Sequence, residues 1–118
     1  MTEAATLIPL NPRDDLILFS LVEEDRHGYG IVREVEVRSS GAVRIDPANL
    51  YRSLKRMMRD GLVQECPPAE AAEAGTERRK FYRITPLGRE VVKLEALRLA
   101  ELTAAARALE LIPGGKPA

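Results

Sequence analysis

Two groups of basic side chains stand close together between residues 52 and 83. The first falls within "ANLYRSLKRMMRD", and the second falls within "TERRKFYRI", next to two aromatic residues. Guanidinium and ammonium groups neutralise phosphates, and guanidinium groups also reach guanine edges in the major groove of DNA. These residue types therefore indicate contact with a polyanion. The candidate contacts are Arg52, Lys55, Arg56 and Arg59 in the first group and Arg78, Arg79, Lys80 and Arg83 in the second.

The overall charge neither favours nor excludes such a partner. The chain has 18 Lys and Arg and 18 Asp and Glu, so its formal net charge is zero. From Val43 to Arg83, nine basic residues stand against six acidic ones, a net of +3 that the rest of the chain balances. An asymmetry of this size has meaning only if the basic residues share one face.

A helix predicted over residues 47–60 would place the first basic group on one face. Asp46 is a candidate N-cap, proline follows at the first helical position, and Gly61 is placed to end the helix. At about 100° per residue, Asn49 and the four cations fall on the side opposite the apolar residues, and no acid joins them. The predicted buried side holds Leu50, Leu54, Met57 and Met58.

The preceding elements are predicted from caps and periodicity. A first helix is expected from about Pro12 to Asp25, and "HGYG" at 27–30 is expected to be a turn that ends it. The next stretch, "IVREVEVRSSG", fits a strand or a helix, and a helix ending near Ser39 to Gly41 is favoured. "VRI" is then a short extended piece before the basic helix.

The following elements form a predicted hairpin. "LVQEC" at 62–66 alternates as a strand, and a second strand runs from about Arg79 to Thr85. The Pro/Ala/Glu-rich segment 67–77 between them is expected to be a mobile loop. Because this loop carries Glu70, Glu73 and Glu77, which phosphate would repel, the second strand is expected to contact the backbone rather than the loop.

A long final helix is predicted from Pro86 to Ile112. Some 27 residues reach about 40 Å, which is longer than a compact domain of this size can cover. Its apolar stripe is therefore expected to pair with the same helix of a second chain; the alternative is a helix folded back on its own domain. Arg98 lies inside the stripe and could pair with Glu95 or Glu101 across the interface. The stripe holds Leu87, Val91, Leu94, Leu102, Ala105, Leu109 and Ile112.

The order of these elements is that of a winged helix-turn-helix, mainly α with a small β-hairpin. We expect a DNA-binding domain over residues 1–85, a dimerisation helix over 86–112 and a flexible tail over 113–118. In this arrangement the basic helix enters the major groove and the hairpin lies over the neighbouring backbone.

Three stretches resemble the PadR-type transcriptional regulators. They are "HGYGI" at 27–31, "NLYRSLKRMMRDGLV" at 49–63 and "RRKFYRITPLGRE" at 78–90. They are similar to the family's Gly-Tyr turn, its Leu-Tyr-x-x-Leu-x-Arg recognition helix and its Arg-Lys-x-Tyr-x-Leu-Thr-x-x-Gly wing strand. The likeness covers about residues 12–92, and the single C-terminal helix is typical of the short subfamily.

The resemblance implies a dimeric transcription factor, usually a repressor, with the final helix as the dimer arm. It also implies a double-stranded DNA operator as partner. Some family members bind flat aromatic effectors between the subunits, but the last helix here has no aromatic residue, so no effector is assumed. By the resemblance, Tyr51, Arg52, Lys55 and Arg56 fall on the recognition helix, and Arg79, Lys80, Tyr82 and Arg83 fall on the wing.

Other classes of function have no support in the sequence. No catalytic triad, carboxylate pair or Gly-rich phosphate loop is apparent, so no enzyme is expected. One Cys and one His cannot furnish a zinc site within one chain, and no metal or cofactor is expected. No apolar run approaches the ~20 residues that span a bilayer, and the N-terminus does not resemble a signal peptide, so we expect a cytoplasmic protein without a membrane partner.

Three hypotheses follow. The leading one is a homodimeric, sequence-specific DNA-binding regulator with half-sites about one helical turn apart. The alternative is a winged-helix module that binds another protein without sequence-specific DNA binding. A third is a DNA-binding sensor with a ligand cavity at the dimer interface. Under the first hypothesis, replacing Arg56 and Arg59 together is expected to abolish DNA binding with little change in melting temperature.

Overall fold

The computed structural model describes residues 3–66 and 80–113. These residues form a short 3₁₀ helix, four α-helices and three β-strands in one chain. The elements are the 3₁₀ helix Ala4–Leu7, α1 Pro12–Ser20, β1 Arg26–His27, α2 Gly28–Arg38, α3 Pro47–Arg59, β2 Val63–Cys66, β3 Phe81–Ile84 and α4 Pro86–Ala108. Within these residues, none of the helices is both long and apolar enough to cross a membrane.

Several predictions fall on other residues. The expected mobile loop 67–77, the basic residues Arg78 and Arg79, and positions 114–118 of the expected flexible tail lie outside the described residues.

The first helix is shorter than predicted. It begins at Pro12, with Asn11 accepting a hydrogen bond from the backbone N–H of Asp14, but it ends at Ser20 instead of Asp25. The Arg26 side chain donates to the carbonyl of Ser20 at 2.6 Å and so satisfies one of the last helical acceptors. Glu23 and Glu24 would also place negative charge at the negative end of the helix dipole. The prediction to Asp25 was therefore wrong.

The "HGYG" segment begins the second helix and is not a free turn. His27 is the N-cap of α2, because its Nδ1 accepts a hydrogen bond from the backbone N–H of Gly30 at 3.1 Å. The helix runs to Arg38, which confirms the helical interpretation of the ambiguous stretch. Ser40 and Gly41, which follow the helix, adopt positive φ values of 54° and 82°.

The sheet has three antiparallel strands in the order β1-β3-β2, one more than the predicted hairpin. β2 pairs with β3 over its whole length, from Val63 opposite Ile84 to Cys66 opposite Phe81. β1 contributes only Arg26 and His27, which lie opposite Tyr82 and Phe81. This short strand ties the start of α2 to the wing.

The hydrophobic core holds α3 against α1 and α2 through the side that the sequence predicted. Leu50, Leu54 and Met57 are buried, and Met58 packs partly against the same core. Asp46 caps the helix by accepting from the backbone N–H of Asn49. The predicted helix 47–60 is thus confirmed to within one residue at its end, and its opposite side faces outward.

The beginning of α4 is fixed by "TPLG". Thr85 accepts from the backbone N–H of Gly88 at 2.9 Å, and Pro86 stands in the first turn. A Cβ on Gly88 would lie 2.3 Å from the carbonyl oxygen of Leu62, so no larger residue fits between α4 and the segment that joins α3 to β2. Glycine here allows the close approach that sets the direction of α4.

The last helix ends four residues before the predicted Ile112. Glu110 adopts a positive φ of 59°, and the backbone N–H of Leu111 bonds back to the carbonyl of Ala106. This left-handed closure ends the helix at Ala108. The first half of α4 packs on the domain and on the 3₁₀ helix, whereas residues 100–105 are all exposed.

Candidate nucleic-acid interface

Three basic side chains lie exposed on the outer side of α3. They are Arg52, Lys55 and Arg59, which we call the basic face. No carboxylate of the described residues forms an ion pair with any of them. Lys55 lies 5.5 Å from the centre of the Tyr51 ring, a cation–π contact at the edge of this face. Within the described part of the chain, the basic face is therefore available to an external anion.

Arg56 has a different environment from its neighbours on α3. Its Nη2 donates to Oδ2 of Asp14 in α1 at 2.5 Å, and the Asp14 side chain is only 5% exposed. Removing Arg56 would leave this carboxylate buried without its partner. The expectation that replacing Arg56 and Arg59 together would leave the melting temperature unchanged is therefore withdrawn, and Arg56 is one of the residues that hold α3 to α1.

Asn49 is held within the helix. Its Nδ2 donates to Oδ2 of Asp46 at 2.9 Å, and its Oδ1 accepts from Arg52. The amide thus orients Arg52 near the start of α3. Asn49 therefore affects the basic face only by positioning the Arg52 guanidinium.

The two described basic residues of the wing both have carboxylate partners. Lys80 Nζ lies 3.5 Å from Glu65 of β2, and both side chains are substantially exposed. Arg83 donates to both oxygens of Asp25 at 2.9 to 3.2 Å. Its guanidinium holds the pKa of Asp25 below the ordinary value. These contacts pair both cations within the protein and so reduce the charge that the wing offers to a polyanion.

Two exposed residues of α2 extend this surface, and the sequence did not identify them as candidates. Tyr29 is 68% exposed, and the Arg33 guanidinium lies 6.0 Å from the centre of its ring. The Tyr29 ring also stacks on that of His27. Once "HGYG" is recognised as a helix start, the i and i+4 spacing of Tyr29 and Arg33 places them on one face.

A mostly buried group of charged residues joins α1 to α3 and α4. Arg98 of α4 donates to both oxygens of Glu95 at 2.7 and 2.8 Å and lies 3.8 Å from Asp15. Glu95 is fully buried and also accepts from the backbone N–H of Leu10. The predicted partner Glu95 is thus bound within the same helix, not across an interface. We call Asp14, Asp15, Arg56, Glu95 and Arg98 the buried charge cluster.

The titration of two members of this cluster is strongly perturbed. Burial, followed by a hydrogen bond with Glu95, raises the pKa of Asp15. The hydrogen bonds from Arg98 hold the pKa of Glu95 well below its ordinary value. The two shifts have opposite directions, so Asp15 holds its proton to a higher pH than Glu95 does.

The apolar stripe of α4 divides into two parts. Val91 is fully buried in the core of its own domain and is not available to a second chain, whereas Leu87 packs only partly against that core. Leu102 and Leu109 are 56% and 69% exposed, and Leu97, which was not predicted, is 63% exposed. The remaining predicted positions are Leu94 and Arg98, both half-buried, and Ala105 and Ile112, both exposed.

The three-stranded sheet beside an amphipathic basic helix defines a winged helix-turn-helix protein. A sequence profile described as the Transcriptional regulator PadR-like family matches residues 17–94 of this chain. The chain belongs to that family, and it is a DNA-binding transcription regulator and not an enzyme.

The chain is also similar to individual proteins. An uncharacterized protein from Lysinibacillus sphaericus is 34% identical over 76 residues, which cover 64% of this chain and 67% of the relative. A transcriptional regulator from Clostridium thermocellum is 25% identical with a TM-score of 0.66, covering 81% of this chain and 87% of that one. A PadR family transcription regulator from Clostridium difficile shares the fold, with a TM-score of 0.71, 23% identity, and coverage of 84% and 98%.

Proposed function

We propose that the chain acts as a homodimeric, sequence-specific repressor of transcription, with α3 in the major groove and the strand around Lys80 and Arg83 on the neighbouring backbone. The observation that carries the proposal is the basic face: three exposed cations on one side of a helix whose other side is buried. A helix anchored in this way can enter a groove about 12 Å wide while its position stays fixed by the core.

We assign a different role to each candidate. Arg52 and Arg59 are proposed to reach phosphates or guanine edges, and Lys55 to reach a phosphate as a point charge. Asn49 acts by orienting Arg52, and Arg56 by anchoring the helix. Lys80 and Arg83 must leave or share their carboxylate partners to touch DNA. Tyr51 lies at the edge of the basic face, where its hydroxyl can donate to a phosphate. Arg78 and Arg79 remain proposed contacts of the wing.

Sequence-specific binding is tested by selection of genomic fragments at moderate salt. We expect enrichment of a palindromic motif whose half-sites lie about one helical turn, or ~34 Å, apart. Placing that motif between a promoter and a reporter should lower expression when the protein is present. A protein that enriches no motif would instead support the alternative, a winged-helix module that binds another protein.

Dimerisation is proposed to use the exposed end of α4 and the residues that follow it, with Leu102 and Leu109 at the centre and Ala105 and Ile112 beside them. Removing these leucines from water is the main driving force available there. Light scattering should show a dimer at micromolar concentration for the unaltered chain and a monomer for Leu102→Ser with Leu109→Ser. Val37→Ser is the matched control, because Val37 is equally exposed but lies on α2. An unaltered chain that is monomeric at that concentration would contradict the proposal.

A further inference from the structure

A cavity of about 660 Å³ opens between the start of α2, the first half of α3 and β3. Val32 from α2 and Leu50 and Leu54 from α3 form apolar walls, and Ile45 lies in the connection between the helices. Sites for small organic ligands in proteins have volumes of about 300 to 1,000 Å³ and are lined mainly by apolar and aromatic residues. The size and lining of this cavity therefore fit a small organic molecule.

One corner of the cavity is polar. Lys80 is the only Lys, Arg, Asp or Glu among the described residues that line it. The phenols of Tyr51 and Tyr82 line the same cavity. An ammonium and two phenols can all donate hydrogen bonds to an anion. The charge at this corner is complementary to a carboxylate or sulfonate.

Glu65 competes for the same lysine. Its carboxylate lies 3.5 Å from Lys80 Nζ, but the two side chains are 46% and 59% exposed. A solvent-exposed ion pair of this kind contributes little to stability, and an anionic ligand can displace its carboxylate. Glu65 does not line the cavity, so its removal would change the charge at the corner without changing the apolar walls.

We propose that this cavity binds a small organic monoanion, with its apolar body between α2 and α3 and its anionic group at Lys80. A ligand there covers Tyr51 and Lys80. Both residues belong to the proposed DNA surface, so the ligand and DNA should exclude each other. This expected competition rests on the proposed function. The site lies within one protomer and does not require a cavity between subunits.

The site is tested by fluorescence titration with the probe anilinonaphthalenesulfonate, an apolar body with one anionic group. Val32→Phe, which fills the cavity, should abolish or strongly reduce binding. Lys80→Met should weaken binding about threefold to tenfold, and Glu65→Gln should strengthen it about twofold to threefold, since it frees the lysine. Lys93→Met, an exposed lysine of α4, is the matched control and should change nothing.

The opposite directions at Lys80 and Glu65 keep the test decisive even if Val32→Phe fails to fold. Equal affinity for the probe in the unaltered chain, Lys80→Met and Glu65→Gln would overturn the site.

Competition is measured with labelled DNA. The probe should release the DNA from the unaltered chain at concentrations that saturate the cavity. Probe binding with the expected variant pattern but no DNA binding would remove the proposed function and leave the site. DNA binding without probe binding would remove the site and leave the function.

Discussion

The buried charge cluster and the basic face both contain arginines of α3, but their surroundings differ. Arg56 points toward α1 and meets a carboxylate that is almost fully buried, whereas Arg59, three residues later, is exposed. Arg56 is bound within the fold, because the buried carboxylate that it meets needs a partner. Arg59 has no described carboxylate partner and remains available to an external polyanion. Position relative to the core, not residue type, separates the two roles.

The largest expected effect is the loss of stability when Glu95 is removed from the buried charge cluster. Glu95→Ala removes the fully buried carboxylate that joins Arg98, Asp15 and the backbone of Leu10. We expect the free energy of unfolding to fall by about 3 kcal/mol, measured by urea denaturation. Glu101→Ala, an exposed acid on the same helix, should cost no more than about 0.5 kcal/mol. A loss below about 1 kcal/mol for Glu95→Ala would show that the cluster does not stabilise the fold.

A smaller effect should separate the two arginines of α3. Arg56→Ala leaves Asp14 buried without its partner and should lower the free energy of unfolding by about 1.5 kcal/mol. Arg59→Ala should change it by less than about 0.5 kcal/mol but should weaken DNA binding. Urea denaturation and a DNA titration on the same two variants check both statements. Equal losses of stability in the two variants would contradict the different roles of Arg56 and Arg59 in the fold.

The smallest effect is the change in stability over one pH unit. In the native state Asp15 keeps its proton up to about pH 8, whereas in the unfolded chain its pKa returns to about 3.8. The native state then binds the additional proton, so stability falls as pH rises from about 4 to about 8 and becomes level above that range.

The charged groups that face Asp15 are Glu95 and Arg98 from α4 and Asp14 from α1. Between pH 6 and pH 7 this carboxyl should lower the free energy of unfolding by about 1 kcal/mol, close to the limit of ~1.4 kcal/mol per pH unit for one proton. Urea denaturation at the two pH values measures the change. Asp15→Asn should remove it, and an unchanged pH dependence in that variant would contradict the assignment to Asp15.

Local signals were sufficient to predict α3. Asp46 as cap, proline after it, Gly61 at the end and an amphipathic pattern all act within the segment, and the observed helix Pro47–Arg59 agrees with them. The start of α4 was predicted for the same reason, from Thr85 and Pro86. Membership in the PadR-like family, implied by three short motifs, is confirmed by the profile match over residues 17–94.

Features that depend on distant contacts could not be predicted. β1 has two residues and exists through its pairing with β3, so no periodicity indicates it. Arg56 and Arg59 are both cations on the same side of the helical wheel, and only the position of Asp14 in α1 distinguishes them. Val91 and Leu102 likewise belong to one apolar stripe, but the domain covers the first and not the second.

The salt dependence of DNA binding tests the central claim most directly. For the unaltered protein, affinity should fall steeply with salt, with a slope of about −0.9 in the log–log plot for each phosphate contact. Arg52→Ala with Arg59→Ala should reduce that slope by up to about 3 to 4 in the proposed dimer and weaken binding strongly, with an unchanged melting temperature. A folded double variant with the affinity and slope of the unaltered protein would contradict the assignment of the basic face to DNA.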